Sequence, residues 1–128
     1  MAVTAFVSDL LFDSRIAATA RLAGVEARVL RSMDQCPPDE ALGDGVILDL
    51  NLPGDPLSFA RELKRRRPDA RIVGFLAHVQ VELANRARAA GLDEVLPRSE
   101  FVKRLPELLR QLAGGPSSVG PPRPTAGK

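Results

Sequence analysis

Tryptophan and tyrosine are absent from these 128 residues, phenylalanine occurs five times, and cysteine and histidine occur once each. Each scarcity removes a class of chemistry. A single cysteine, Cys36, can neither close an intramolecular disulfide nor build a thiolate metal cluster. It has no histidine beside it to activate it, since His78 is far along the chain, so an inert thiol is expected. Sparse aromatics and the lack of a recognisable recognition helix argue against a nucleic-acid reader. The net charge of +2 is spread as alternating signs. Its densest cluster, Lys64-Arg65-Arg66-Arg67, falls at an expected helix end, where cations meet the negative pole of the macrodipole. A solvated helix terminus is the reading there, with no direct nucleic-acid contact.

Long apolar runs are missing too. Nothing approaches the roughly 20 residues that cross a bilayer, and residues 1–11 are too short and wrongly flanked for a signal peptide. A cytoplasmic protein without a membrane partner is expected. What is present is a hydrophobic fraction of 45% and a charged fraction of 27%, ordinary for one globular domain that needs no disulfide or structural metal. That domain is expected over 1–113. Residues 114–128 are mostly Gly, Pro and Ser with too little apolar content to offset the entropy of ordering them, and are expected to form a disordered tail.

The centre of the chain is Gly45-Val46-Ile47-Leu48-Asp49-Leu50-Asn51-Leu52-Pro53-Gly54, an apolar, branched run that stops at a carboxylate, an amide and a Pro-Gly turn. A strand buried on both faces reads this way, and a carboxylate at its end is no packing residue. A similar run at 2–7 ends in Ser8-Asp9, 25–30 alternates with period two as an edge strand would, and 70–76 and 93–96 complete a set of five strands. Helices are expected from Asp13 or Ser14 to Ala23 with Gly24 as cap, over a short and poorly legible stretch within 31–44, from 56 to about 67 behind Asp55-Pro56, over 79–90 with a thin alanine-rich face, and from a Ser99 cap along the apolar stripe of Phe101, Leu105, Leu108, Leu109 and Leu112. Pro106 predicts a kink or a restart inside that last helix.

Strands alternating with helices across short loops imply an α/β fold, a doubly wound five-stranded parallel sheet of the flavodoxin-like kind, order 2-1-3-4-5. In that order the ligand crevice lies outside the carboxyl ends of strands one and three, where the winding reverses, and Asp9 and Asp49 end those strands. Two converging carboxylates call for a counter-charge. Mg²⁺ fits, because it takes few carboxylates and keeps several waters; the competing reading is that both aspartates cap helix or loop amides.

Phe6-Val7-Ser8-Asp9 together with Val46-Ile47-Leu48-Asp49-Leu50-Asn51-Leu52-Pro53-Gly54 resembles the receiver domain of bacterial two-component response regulators, and Ala89-Ala90-Gly91-Leu92-Asp93-Glu94-Val95-Leu96 is similar to the family's passage into its last strand. The likeness spans residues 2–113. It implies that Asp49 accepts a phosphoryl group from a histidine kinase, with Mg²⁺ held by Asp9, Asp49 and the backbone carbonyl of Asn51. The chain departs from the family pattern at Ser8, where an acid is usual; at Leu76 and Ala77, where a hydroxyl is usual; at Glu94, where an aromatic is usual; and at Leu96-Pro97-Arg98, which lacks the lysine that precedes proline. Arg98 is a substitute of different geometry.

The resulting expectation is a degenerate, stand-alone receiver, not an enzyme. Phosphorylation at Asp49 is weak, slow or absent, and the module acts by protein contact through the 79–90 helix, the 93–96 strand and the last helix. The oligomeric state is left open, a homodimer being one arrangement allowed. The alternative is a flavodoxin-like small-ligand module, weakened because Ser8-Asp9-Leu10-Leu11-Phe12 has no glycine to cradle a phosphate. An aspartyl phosphatase would need an acid partner, and neither Asp13 nor His78 is credible in that role.

Overall fold

In the computed structural model, which describes residues 2–32, 42–43, 45–77 and 80–114, each apolar run pairs with another to make one parallel sheet. The described elements run β1 (Ala2–Phe6), α1 (Leu10–Ala23), β2 (Glu26–Leu30), β3 (Gly45–Asp49), α2 (Pro56–Arg66), β4 (Arg71–Leu76), α3 (Val81–Ala89), β5 (Glu94–Pro97) and α4 (Arg98–Gly114). The strand order is β2-β1-β3-β4-β5 with every pair parallel, as the sequence predicts. The helix expected within 31–44, Cys36, His78 and the tail beyond Gly114 lie outside the described residues.

Successive strand residues face opposite sides of a sheet, and here both sides are apolar. Phe6, Val46, Leu48, Ile72 and Leu76 pack on one face with Leu57, Ala60 and Leu63 of α2 and Ala84 and Ala87 of α3. Val3, Ala5, Ile47, Val73 and Phe75 pack on the other with Phe12 and Ile16 of α1 and Phe101, Leu105, Leu108 and Leu112 of α4. All five residues of β3 are buried, which is why the central run shows no alternation. β2 carries the wetter pattern of an edge strand, with no fully buried residue.

The structure departs from the sequence reading at two helix starts and in the basic cluster. α1 starts at Leu10 rather than Asp13, because Asp9 is its N-cap and accepts a hydrogen bond from the Leu11 amide. α4 starts directly at Arg98, placing Ser99 inside its first turn, and runs unbroken through Pro106 to Gly114. A proline costs one intrahelical bond, and burial of Leu105, Leu108, Leu109 and Leu112 outweighs that loss. The basic cluster at the end of α2 is also not wholly solvated. Lys64 donates to the Ala70 carbonyl at 2.6 Å and to Asp93 at 3.2 Å, and Asp93 in turn accepts the Ile72 amide at 2.7 Å, so this lysine stitches α2 to β4 and to the turn before β5.

Candidate functional site

β1 and β3 are adjacent, and the chain leaves them toward opposite faces of the sheet. The space beyond their carboxyl ends is therefore free of crossover helices. Asp49, the last residue of β3, is 1% exposed. A charge so placed needs donors, and among the described residues it has two: the Asn51 amide reaches one carboxylate oxygen at 2.9 Å and the Ser8 hydroxyl reaches the other at 3.3 Å. The Leu52 amide closes the turn on the Asp49 carbonyl at 3.1 Å.

The β1 end thus touches Asp49 through Ser8, the residue that stands where an acid was expected. Asp9 is engaged elsewhere. Its Oδ1 accepts the Leu11 amide at 2.8 Å, and its Oδ2 faces Arg98 Nη2 at 3.8 Å. Of the two readings of Asp9, its contacts show the helix cap; β1 itself ends at Phe6, so Asp9 lies in the turn after the strand rather than at its end.

Asn51 entered the sequence reading only through its carbonyl. Its side chain does more, because Oδ1 accepts the Ala77 amide at 3.0 Å and Nδ2 donates to Gln80 Oε1 at 3.3 Å. The loop after β3 is thereby fastened to the end of β4, where Leu76 and Ala77 offer no hydroxyl. A polar residue between Leu50 and Leu52 was the available signal; nothing in the sequence pointed to Ala77 as its partner.

Arg98 completes the rim. Its guanidinium carbon lies 4.6 Å from the centroid of the Phe12 ring, a cation–π distance. Phe12 in turn packs on Phe75 and Phe101 at centroid separations of 5.1 and 6.1 Å, and those two rings stack at 4.6 Å. A cation is therefore seated at the crevice on an aromatic platform built from α1, β4 and α4.

The donor set suits a hard divalent cation in kind, since Asp9, Asp49 and a loop carbonyl are all oxygen ligands and Mg²⁺ needs no more than one or two carboxylates. It is lean in number. No group of three or more histidine, cysteine, aspartate or glutamate residues that could hold a metal occurs among the described residues, and the carboxylate oxygens already carry the partners named above. Away from the crevice, Glu94 at the start of β5 pairs with Arg104 of α4, and that carboxylate, as its main hydrogen-bond partner, raises the Arg104 pKa.

No protein-family model matches the sequence, and no curated protein matches it significantly. Solved structures do match in shape. The beryllofluoride-activated NtrC4 receiver domain, a dimer, aligns with a TM-score of 0.73 at 19% identity over 87% of this chain and 98% of that one. The receiver domain of NtrX from Brucella abortus aligns at 0.75 and 19% identity, covering 90% and 99%. A response regulator from Burkholderia pseudomallei, solved with a phosphorylated aspartic acid, a calcium ion and citrate, aligns at 0.71 and 21% identity, covering 88% and 68%. The five-stranded parallel sheet of order β2-β1-β3-β4-β5 is thus that of a known class of domain: the chain has the fold of response-regulator receiver domains.

Proposed function

We propose that this chain is a cytoplasmic receiver-type module of two-component signalling, in which Asp49 is a weak or slow phosphoacceptor and output is by protein contact. The observation that carries the reading is the Asp49 carboxylate, buried at the end of the central strand and held by Ser8 and the Asn51 amide at the switch point. The Burkholderia pseudomallei relative carries a phosphorylated aspartic acid on the same fold.

The chemistry is an in-line displacement. An Asp49 oxygen attacks the phosphorus of the donor, the bond from phosphorus to the donor atom breaks, and that atom leaves with the electron pair, giving an acyl phosphate. Two hydrogen bonds orient the nucleophile. Asp9, Asp49 and the Asn51 carbonyl would hold a divalent cation, Mg²⁺ being the expected one, and when bound it supplies charge neutralisation on the transferring oxygens.

Weakness follows from what surrounds Asp49. Leu76 and Ala77 give a bound phosphoryl group no hydroxyl to draw inward, and the end of β4 is already fastened by Asn51, so a phosphate has little differential contact with which to shift a population. Protein contact is favoured by the surface along α3 and β5. A shallow cavity of about 150 Å³ there is lined by Leu76, Val81, Ala84, Val95 and Pro97, and Val81 is 65% exposed. A histidine kinase is the proposed donor, and a homodimer through this surface is one form the contact can take.

Incubating the full chain with Mg²⁺ and acetyl phosphate, or with a phosphorylated histidine kinase, and weighing the intact protein tests the acceptor. A minor fraction gaining one phosphoryl group, and none in Asp49→Asn, is expected. Modification that persists in Asp49→Asn defeats the assignment, and rapid stoichiometric modification of the native chain defeats the claim of weakness.

A further inference from the structure

Arg98 stands where helix electrostatics alone would not put a cation. It is the first residue of α4, at the positive pole of the helix macrodipole, where an acidic residue would be favoured. Its Nε is buried with no hydrogen-bond partner among the described residues. What holds the side chain is the face of Phe12 at 4.6 Å and the charge of Asp9, whose Oδ2 lies 3.8 Å from Nη2. Arginine is suited to this seat, because its planar and weakly hydrated head stacks on a ring where an ammonium would stay in water.

We propose that Arg98 is a tethered counter-cation that competes with a divalent metal ion for Asp9, so that the crevice is partly neutralised without metal and binds metal weakly. The inference rests on reading the crevice as the metal and phosphoryl site of a receiver. Asp9 has one oxygen to give, since Oδ1 is committed to the Leu11 amide at 2.8 Å. The other, Oδ2, is the atom that faces the guanidinium. A metal ion bound there would lie within a few ångströms of the guanidinium charge, and the two repel unless Arg98 leaves Phe12 and turns to solvent. Ser8 sharpens the competition, because a hydroxyl at that position brings no charge, leaving Asp9 and Asp49 as the carboxylates against one arginine.

Calorimetric titration of the full chain with MgCl₂ and, separately, MnCl₂ tests this without reference to activity. Arg98→Met keeps an apolar stem over Phe12 and removes the charge, and Arg98→Gln does so with a polar end. Each is expected to bind both ions about three- to fivefold tighter than the native chain, the scale of a partly exposed ion pair. Asp9→Asn should weaken binding and erase the gain when combined with either substitution. Arg21→Met, a cation removed from the far end of α1, should leave affinity unchanged.

Unchanged or weaker binding in both Arg98 variants overturns the proposal, as does a gain that survives Asp9→Asn or an equal gain in Arg21→Met. Asp49 phosphorylation without tighter binding in the Arg98 variants defeats this inference alone. Tighter binding in a protein that accepts no phosphoryl group defeats only the proposed function.

Discussion

Asn51 works through its backbone and its side chain separately, which makes the two roles experimentally separable. Its amide orients Asp49, and its carboxamide holds the Ala77 amide at 3.0 Å. Asn51→Ala keeps the first bond and deletes the second together with the Nδ2 bond to Gln80, at a cost of about 1–2 kcal/mol, the net worth of one or two ordinary hydrogen bonds. The Ala77 amide should then exchange with deuterium faster while the Asn51 position itself keeps its protection. Unchanged exchange at Ala77 would show that the carboxamide does not hold the end of β4. Asp55 offers a second residue-scale test through pH. The Ser58 hydroxyl, and then the Ser58 amide, pull its pKa below the usual value of 3.8. A carboxylate with a depressed folded-state pKa adds stability that is present above the unfolded value and is lost as pH falls through the folded one. Asp55→Ala should therefore lower the melting temperature at neutral pH and shrink the loss of stability below about pH 4 relative to the native chain; parallel curves for the two proteins down to low pH would remove Asp55 from the acid response.

At the scale of elements, β3 was legible because burial on both faces leaves no choice but an unbroken apolar run, and its partners β1 and β4 were legible for the same reason. Helix starts were not, where a capping residue also looks like a strand terminus. Asp9 lies beyond the end of β1 and caps α1, so reading it as a strand terminus hid the first turn of the helix, Leu10 to Phe12, and with it the ring on which Arg98 rests. Of the kink or restart that Pro106 predicted, the restart is not seen, because α4 continues past it. Asp49 was found from its place after an apolar run, whereas the Ser8 and Asn51 side-chain contacts depend on which loop lies opposite, a tertiary fact that no local pattern encodes. Gly45 carries a constraint of the same tertiary kind. A Cβ there would meet Leu112 Cβ at 2.7 Å and the Leu112 carbonyl oxygen at 2.9 Å, so β3 and α4 approach too closely for any side chain. Gly45→Ala should destabilise by about 1–3 kcal/mol, the cost of overpacking. Chemical denaturation measures it, and a variant as stable as the native chain would mean that α4 yields without penalty.

The molecule as a whole is two apolar layers sharing one sheet. α2 and α3 cover one face, and α1 and α4 the other; neither layer has a core without the strands, so the two should melt together. Leu63 and Phe101 are fully buried on opposite faces. Truncating each to alanine leaves a cavity that costs about 2–5 kcal/mol for leucine and 3–5 kcal/mol for phenylalanine. The sheet separates them and they share no partner, so the losses should add. Their sum approaches the roughly 5–15 kcal/mol that holds a domain together. Each single variant should then shift one cooperative urea transition, followed by far-UV circular dichroism because the chain has no tryptophan or tyrosine, and the double variant should be largely unfolded in buffer at 25 °C. Two separate transitions in either single variant would mean that the faces fold independently. In that case a partner that loosened α3 could do so without reaching Phe75, Phe12 or the crevice, and contact at α3 and β5 would have no packing route to Asp49.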